Sequence, residues 1–359
     1  MSLNIHVSTT TDPAGRGREI GSRWRDRIQA TARDYDWLFQ AAGLDEPAVR
    51  RIAGECLDAL HTWEPELATE IRGIAAGAGL PTWRAAALTA RTEILVRGKI
   101  AGLKECTTAA LAVPDRPPRV LQTWDWIPQA ENFTILRYTS TAGLGVVTFA
   151  ENGVVGKVGV NSAGLGVLFT LLCHSSDGTT TGVPVHAVVR RVLDNATTVA
   201  QAIETARSAP VTASAALTVV TWNGGRCDAA VVELSPAGSA ELRPVGDGYL
   251  LHTNHFLDPE LATGDRLVAV GDDTVPRLAA LRRLSTALTG ADRTAWARGL
   301  VSHWEDGAPI CAHPRADADV TNRWETKMML TFDLTRPSLI VQEGKPCQVT
   351  ESRWLEFAA

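Results

Sequence analysis

Around residue 106 the hydrophobic pattern of this chain changes character, and that change limits the folds open to it more than any other feature. Upstream, apolar residues recur at helical spacing. Over residues 18–39, Ile20, Trp24, Ile28 and Ala32 step by four, Tyr35 and Leu38 continue the stripe, and polar side chains fill the other face. Residues 46–62 repeat the pattern through Val49, Ile52, Ala53, Cys56 and Leu60, with Pro47 in the first turn. Residues 66–78 read as a third helix closed by Gly79, and Pro81-Thr82-Trp83 opens a fourth that runs to Ile94. Downstream come short β-branched and aromatic runs at 120–126, 134–138, 145–150, 156–160 and 165–172. Pro117-Pro118, Ala142-Gly143, Asn152-Gly153 and a turn at 161–164 separate them, as in an antiparallel meander. An amphipathic helix is expected over 185–206, then strands at 215–222, 229–234, 240–244 and 249–253. Two helices near 275–288 and 291–301 precede strands at 327–333 and 338–342. Strand runs, helices and strands again predict an α+β fold with two sheets layered between helices, not a βαβ ladder.

Charge and composition narrow the function classes. With 35 Lys and Arg against 40 Asp and Glu the net charge is −5, which lacks the basic footprint that phosphate backbones require, so no nucleic-acid partner is expected. The longest nearly continuous apolar stretch, residues 164–173, is half a membrane helix, so no membrane partner is expected. Residues 1–17 lack a basic start followed by an apolar run, so a cytoplasmic protein is expected. Six cysteines in 359 residues, none in a C-x-x-C pair, are too sparse for a disulfide scaffold.

Several common signals fail. Gly153-x-x-Gly156-Lys157 lacks phosphate-loop spacing, and Ser162 has no flanking glycine pattern for a nucleophile elbow. His252-x-x-His255 falls at a strand end, where side chains three apart face opposite sides, and Cys311-x-His313 is a metal pair only on paper, so no metal is expected. His186, at the start of a helix, reads as a capping or packing histidine.

Cys106 is different. Alone it reads as a small buried hydrophobe. Around it stand Lys104-Glu105-Cys106-Thr107-Thr108, Gln122-Thr123-Trp124-Asp125-Trp126, the segment from Gly156 to Leu165 containing Asn161-Ser162-Ala163-Gly164, Thr181-Gly182-Val183-Pro184-x-His186, and His252-Thr253-Asn254-His255. In order and spacing these segments, from about residue 19 to about residue 342, resemble the acyl-coenzyme A:6-aminopenicillanic acid (isopenicillin N) acyltransferase family of N-terminal-nucleophile hydrolases.

The resemblance implies an αββα four-layer sandwich of two antiparallel sheets between helices. It also implies self-cleavage between Glu105 and Cys106. Residues 1–105 would then be a helical fragment and 106–359 the catalytic core, forming one folded unit. Cys106 would be the nucleophile, with its freed α-amine as base. An α-amine has a pKa of about 7.7–8.0, close to operating pH. Asp125 would orient that amine, Asn254 would donate to the tetrahedral oxyanion, and Asn161 would supply a second, backbone donor. Arg323, Thr108 and Trp126 become candidates for substrate contact.

An acyl group would pass from a thioester or amide, acyl-coenzyme A being one such donor, through S-acyl-Cys106 to a small amine or water. No metal or organic cofactor is implied, the partners are a small acyl donor and an amine acceptor, and a homo-oligomer of two-fragment units is compatible. A pure N-acyl amide hydrolase and an uncleaved, non-catalytic binding homologue remain as rivals. Read without the resemblance, Asp125 is a strand-end carboxylate, Asn254 and Asn161 are turn residues, and Arg323 is an ion-pair partner. Departures from the pattern are Glu105 in place of glycine, Thr123 in place of asparagine, Gln122 where related bile-salt hydrolases carry arginine, and Ala312 where an arginine follows Pro309-Ile310-Cys311.

Overall fold

Caps and prolines start the helices of the first hundred residues where the sequence offers them. The structure is a computed structural model that describes residues 2–98, 106–244, 246–315 and 323–359, and all counts below refer to these. Asp12 accepts from the Gly15 N–H at 2.6 Å to open helix α1 (Pro13–Arg23). Asp45 does the same for Ala48 at 2.9 Å to open α3 (Glu46–Trp63), and α4 (Pro65–Ala78) ends at Gly79 with φ 66°.

The stretch expected as one helix over 18–39 is two. Trp24, at φ −115° and ψ 24°, breaks α1 from α2 (Arg25–Ala41). The break lets α1 lie flush on α4, so closely that a Cβ on Gly17 or Gly21 would overlap the carbonyl of Glu70 or Ile74. Helix α5 (Thr82–Thr89) is likewise parted from α6 (Arg91–Leu95) at Ala90.

Fourteen strands build two sheets. The larger runs in the order β1-β4-β5-β6-β7-β8-β9-β10, and the smaller in the order β11-β2-β3-β12-β13-β14. Their ranges are β1 (Ser2–Val7), β2 (Cys106–Leu111), β3 (Arg119–Trp126), β4 (Asn132–Thr139), β5 (Gly145–Glu151), β6 (Val158–Asn161) and β7 (Leu165–Leu171). The others are β8 (Ala215–Trp222), β9 (Cys227–Ser235), β10 (Gly238–Leu242), β11 (Tyr249–His252), β12 (Glu325–Asp333), β13 (Ser338–Glu343) and β14 (Leu355–Ala358).

Every pairing between strands is antiparallel except that of β1, an edge strand that adds to β4 in parallel. The long chain between β1 and β4 is what permits a parallel return. Strand β1 also escapes pattern reading for a physical reason. Its polar Asn4 and His6 are buried while Ile5 and Val7 are more than half exposed, so the usual apolar-in alternation is inverted.

Helices α7 (Val185–Asn195) and α8 (Val199–Ser208) cover the outer face of the larger sheet. Thr198 caps α8 by accepting from the Gln201 N–H at 3.2 Å, splitting the single helix expected over 185–206. The short α9 (Arg266–Ala269) leads to α10 (Thr274–Leu284), and α10 and α11 (Arg293–Gly299) cover the smaller sheet. Between the sheets Trp124 meets Phe133 and Phe149 edge-on at 5.1 and 5.4 Å. On the other face of the smaller sheet, Ala109, Leu121 and Met329 pack with Leu278, Leu281 and Ala297. The fold is α+β, with four layers in the order helix, sheet, sheet, helix. No helix of the described residues is long and apolar enough to cross a membrane.

Candidate active site

Strand β2 begins at Cys106, in the interior of the smaller sheet between β11 and β3, with Cys106 opposite Trp124 and Thr108 opposite Gln122. Side chains alternate across a sheet, so Cys106, Thr108 and Ala110 face the larger sheet, and Thr107 and Ala109 face α10. Cys106 is fully buried. Its backbone N–H donates to Asn254 Oδ1 at 3.4 Å.

Asn254 follows the end of β11, which pairs with β2 through His252 and Thr108. Its Nδ2 donates to the Leu171 carbonyl at 2.9 Å, tying the site to the end of β7 in the other sheet. Donors and acceptors around the amide fix its orientation, because Arg277 Nη2 donates to the same Oδ1 at 3.0 Å.

Arg277 is the residue that sequence reasoning missed. It lies on α10 and donates through Nη1 to the Cys106 carbonyl at 2.8 Å and to Thr107 Oγ1 at 3.2 Å. Its Nε reaches Asp273 at 3.1 Å, and Asp272 stands at 4.0 Å from Nη2. Burial alone would lower its pKa, but Asp273, Asp272 and Asp125 outweigh that and raise it, so a fixed cation stands beside the nucleophile strand. The Asp272-Asp273 pair ahead of a helix start was the one local signal for it.

Asp125 lies next to Trp124 on β3, opposite Thr326 on β12, whose hydroxyl donates to Asp125 Oδ1 at 2.6 Å. Alternation puts the Asp125 side chain on the α10 face, opposite to the Cys106 side chain but in the field of Arg277. A register shift between Thr326 and Met328 marks a bulge at this point of β12.

Other candidates fall elsewhere. Asn161 ends β6, opposite Leu165 at the start of β7, six residues from Leu171 and so about 20 Å along the strand. Its side chain donates to the Leu193 and Ala196 carbonyls at 3.0 and 2.8 Å and accepts from Ala163 and Leu165, which makes it a turn and helix-end clamp. The expected second oxyanion donor is therefore misplaced, and the strand end that reaches Asn254 is Thr170–Leu171.

Thr108 Oγ1 accepts from Gln122 Nε2 at 2.7 Å and lies 3.1 Å from Thr170 Oγ1. Trp126 is fully buried and stacks with Trp124 at 6.2 Å under Arg91, 4.6 Å from its ring. Both side chains lie in the inter-sheet core. Arg323 stands half-buried two residues before β12, and the arginine that reaches Cys106 is Arg277 instead. Glu105 lies outside the described residues.

His252 bonds Glu233 at 2.8 Å, while His255 bonds Thr274 at 2.9 Å. Burial pushes His255 down to about 4, so it stays neutral. His186 packs on Phe169 at 4.7 Å. A separate group, His303, Cys311, His313 and Cys347, has the side-chain composition to hold a metal.

Residues 114–347 match the acyl-coenzyme A:6-aminopenicillanic acid acyl-transferase family. The chain is 28% identical over 364 aligned positions, 99% of its own length and 96% of its relative's, to the 40 kDa form of the acyl-coenzyme A:6-aminopenicillanic-acid acyltransferase of Emericella nidulans. Among solved structures it is similar to penicillin V acylase of Agrobacterium tumefaciens, at 18% identity and TM-score 0.45 over 66% of this chain and 82% of that one. It is also similar to a conjugated bile acid hydrolase variant of Clostridium perfringens, at 14% and 0.46 over 70% and 92%. The family match spans more than half of the chain and covers β3, β12, Leu171, Asn254 and Arg277, while Cys106 and β2 precede it. The protein is a member of the acyl-coenzyme A:6-aminopenicillanic acid acyl-transferase family.

Proposed function

We propose that the protein is a self-processing cysteine acyltransferase or amidohydrolase that carries its acyl group on Cys106. The supporting observation is the placement of Cys106 at the first position of an interior strand, with its backbone nitrogen 3.4 Å from Asn254 Oδ1. Attack of the thiol on the carbonyl before it converts the peptide bond to a thioester. Hydrolysis of that thioester then leaves residue 105 as a carboxylate and Cys106 with a free α-amine.

In the mature form this amine takes the thiol proton, and the thiolate attacks the acyl donor. An amide Nδ2 carries two N–H groups, and Asn254 spends one on Leu171, which leaves the other for the developing oxyanion. The protonated amine hands its proton to the leaving group, and an amine or water then attacks the S-acyl-Cys106 thioester and restores the thiol. Asp125 and the Arg277 guanidinium set the field in which the amine titrates. By analogy with the Emericella nidulans relative, the donor is an acyl thioester and the acceptor a small amine.

Incubation with acyl thioester and N-acyl amide donors tests this reading. Mass spectrometry should find one added acyl group on the 106–359 fragment, removable by hydroxylamine and absent from Cys106→Ala. An acyl adduct on any other residue, or turnover retained by Cys106→Ala, contradicts it.

A further inference from the structure

Three separate segments bring two thiols and two imidazoles to one point. His303 follows α11, Cys311 and His313 stand in the approach to β12, and Cys347 lies in the turn after β13. One ligating atom from each falls within 4.8 Å of the others. Cys311 Sγ is 3.6 Å and Cys347 Sγ 3.4 Å from the same atom, His313 Nε2. A single ring nitrogen has one lone pair or one proton, so it can satisfy only one of two flanking thiols. His303, whose ring lies 5.2 Å from that of His313, has a buried Nε2 without a hydrogen-bond partner among the described residues.

From these distances the geometry points to a structural zinc site, Cys311, Cys347, His303 and His313, that staples the loop before β12 to the turn after β13. Zinc holds sulfur at about 2.3 Å and nitrogen at about 2.0–2.1 Å. At a tetrahedral angle those lengths put sulfur and nitrogen about 3.5 Å apart, and the two separations here are 3.6 and 3.4 Å. Two sulfur and two nitrogen donors favour zinc over the oxygen-seeking calcium and magnesium. Four protein ligands close the coordination shell, which is the structural rather than the catalytic arrangement. As each Zn–S bond forms, an S–H proton leaves to solvent, so binding releases two protons and gives a neutral centre.

The frame is already set for it. The Cys311 N–H donates to the Ser302 carbonyl at 2.9 Å, and the His303 N–H to Asp306 at 2.8 Å. The staple also sits behind Asp125. Ala312, next to Cys311, exchanges bonds of 2.9 and 3.1 Å with Thr326, the residue whose hydroxyl holds Asp125. In the sequence Cys311-x-His313 is a metal pair only on paper; its partners, His303 and Cys347, lie eight and 36 residues from Cys311, and the fold gathers them.

Metal analysis of the full chain, purified reduced and without chelator, is the test. About one zinc per chain is expected, and after chelation cobalt should restore binding with the visible and sulfur charge-transfer absorption of a tetrahedral thiolate site. Cys347→Ser, at an exposed position, and His303→Ala should each weaken cobalt binding or alter its spectrum. Chelator should lower the melting temperature of the wild type but not of Cys347→Ser. Reduced protein that binds neither metal, a cobalt spectrum unchanged in both variants, or a Cys311–Cys347 disulfide as the native state would each overturn the proposal.

Discussion

Each contact of the Asn254 side chain helps to hold its amide beside the nucleophile, since it accepts from Cys106 N–H and Arg277 and donates to Leu171. An oxyanion donor contributes mainly in the transition state, so Asn254→Ala should lower kcat by about 10²-fold and leave KM nearly unchanged. Steady-state kinetics on the mature protein check this, and unchanged turnover removes Asn254 from the mechanism. At this scale the sequence was informative where a short motif carries the family resemblance. Cys106, Trp124 and Asp125 meet through strand pairing, and Asn254 sits one strand over. Asn161 misled because its turn motif describes the turn itself, and a strand of seven residues carries the other end of β7 to the nucleophile. Arg277 gave little signal because only the folding of α10 against β2 brings its guanidinium to Cys106.

Between elements, the buried carboxyl of Glu93 on α6 accepts from the Val185 N–H at the start of α7 at 2.8 Å. Burial pushes its pKa from 4.5 up to about 7. The folded state therefore holds this proton where the unfolded chain has lost it, and stability falls as pH rises from about 4.5 towards 7. The loss is on the order of 3 kcal/mol. Glu93→Gln keeps the acceptor and removes the charge. Denaturant titrations should find the variant equal to wild type near pH 5 and more stable near pH 8, and a difference independent of pH would refute this. Most elements were legible from periodicity and turns. The exceptions were β2 and β14, which lie outside the strand runs expected, breaks such as Trp24, which depend on the approach of α1 to α4, and β1, whose inward residues are polar.

Across the whole molecule, the first 98 residues are tied into the core and do not form a separate body. Strand β1 pairs with β4, and Glu70 on α4 bonds Arg16 at 2.7 Å and Arg190 of α7 at 2.8 Å, all three buried. Burial would raise the Glu70 pKa, but Arg190 and Arg16 outweigh it and lower it below 4.5. Its contribution is thus present above about pH 4.5 and is lost as pH falls through the lowered folded value. Glu70→Gln removes the buried carboxylate that Arg16 and Arg190 share, leaving Arg190 its pair with Asp194 and Arg16 only backbone carbonyls, and should destabilise the protein by about 3 kcal/mol. Thermal melts at pH 7 check this, and a shift no larger than that of a surface substitution would contradict it. These ties are why fragments separated at residue 105 are expected to stay together.

The most direct test of that separation is intact-mass measurement of purified wild type after long incubation, beside Cys106→Ala. The account predicts two associated fragments for wild type, residues 1–105 and 106–359, and a single uncut chain for the variant. A wild-type preparation that remains one chain and still turns over substrate would contradict it.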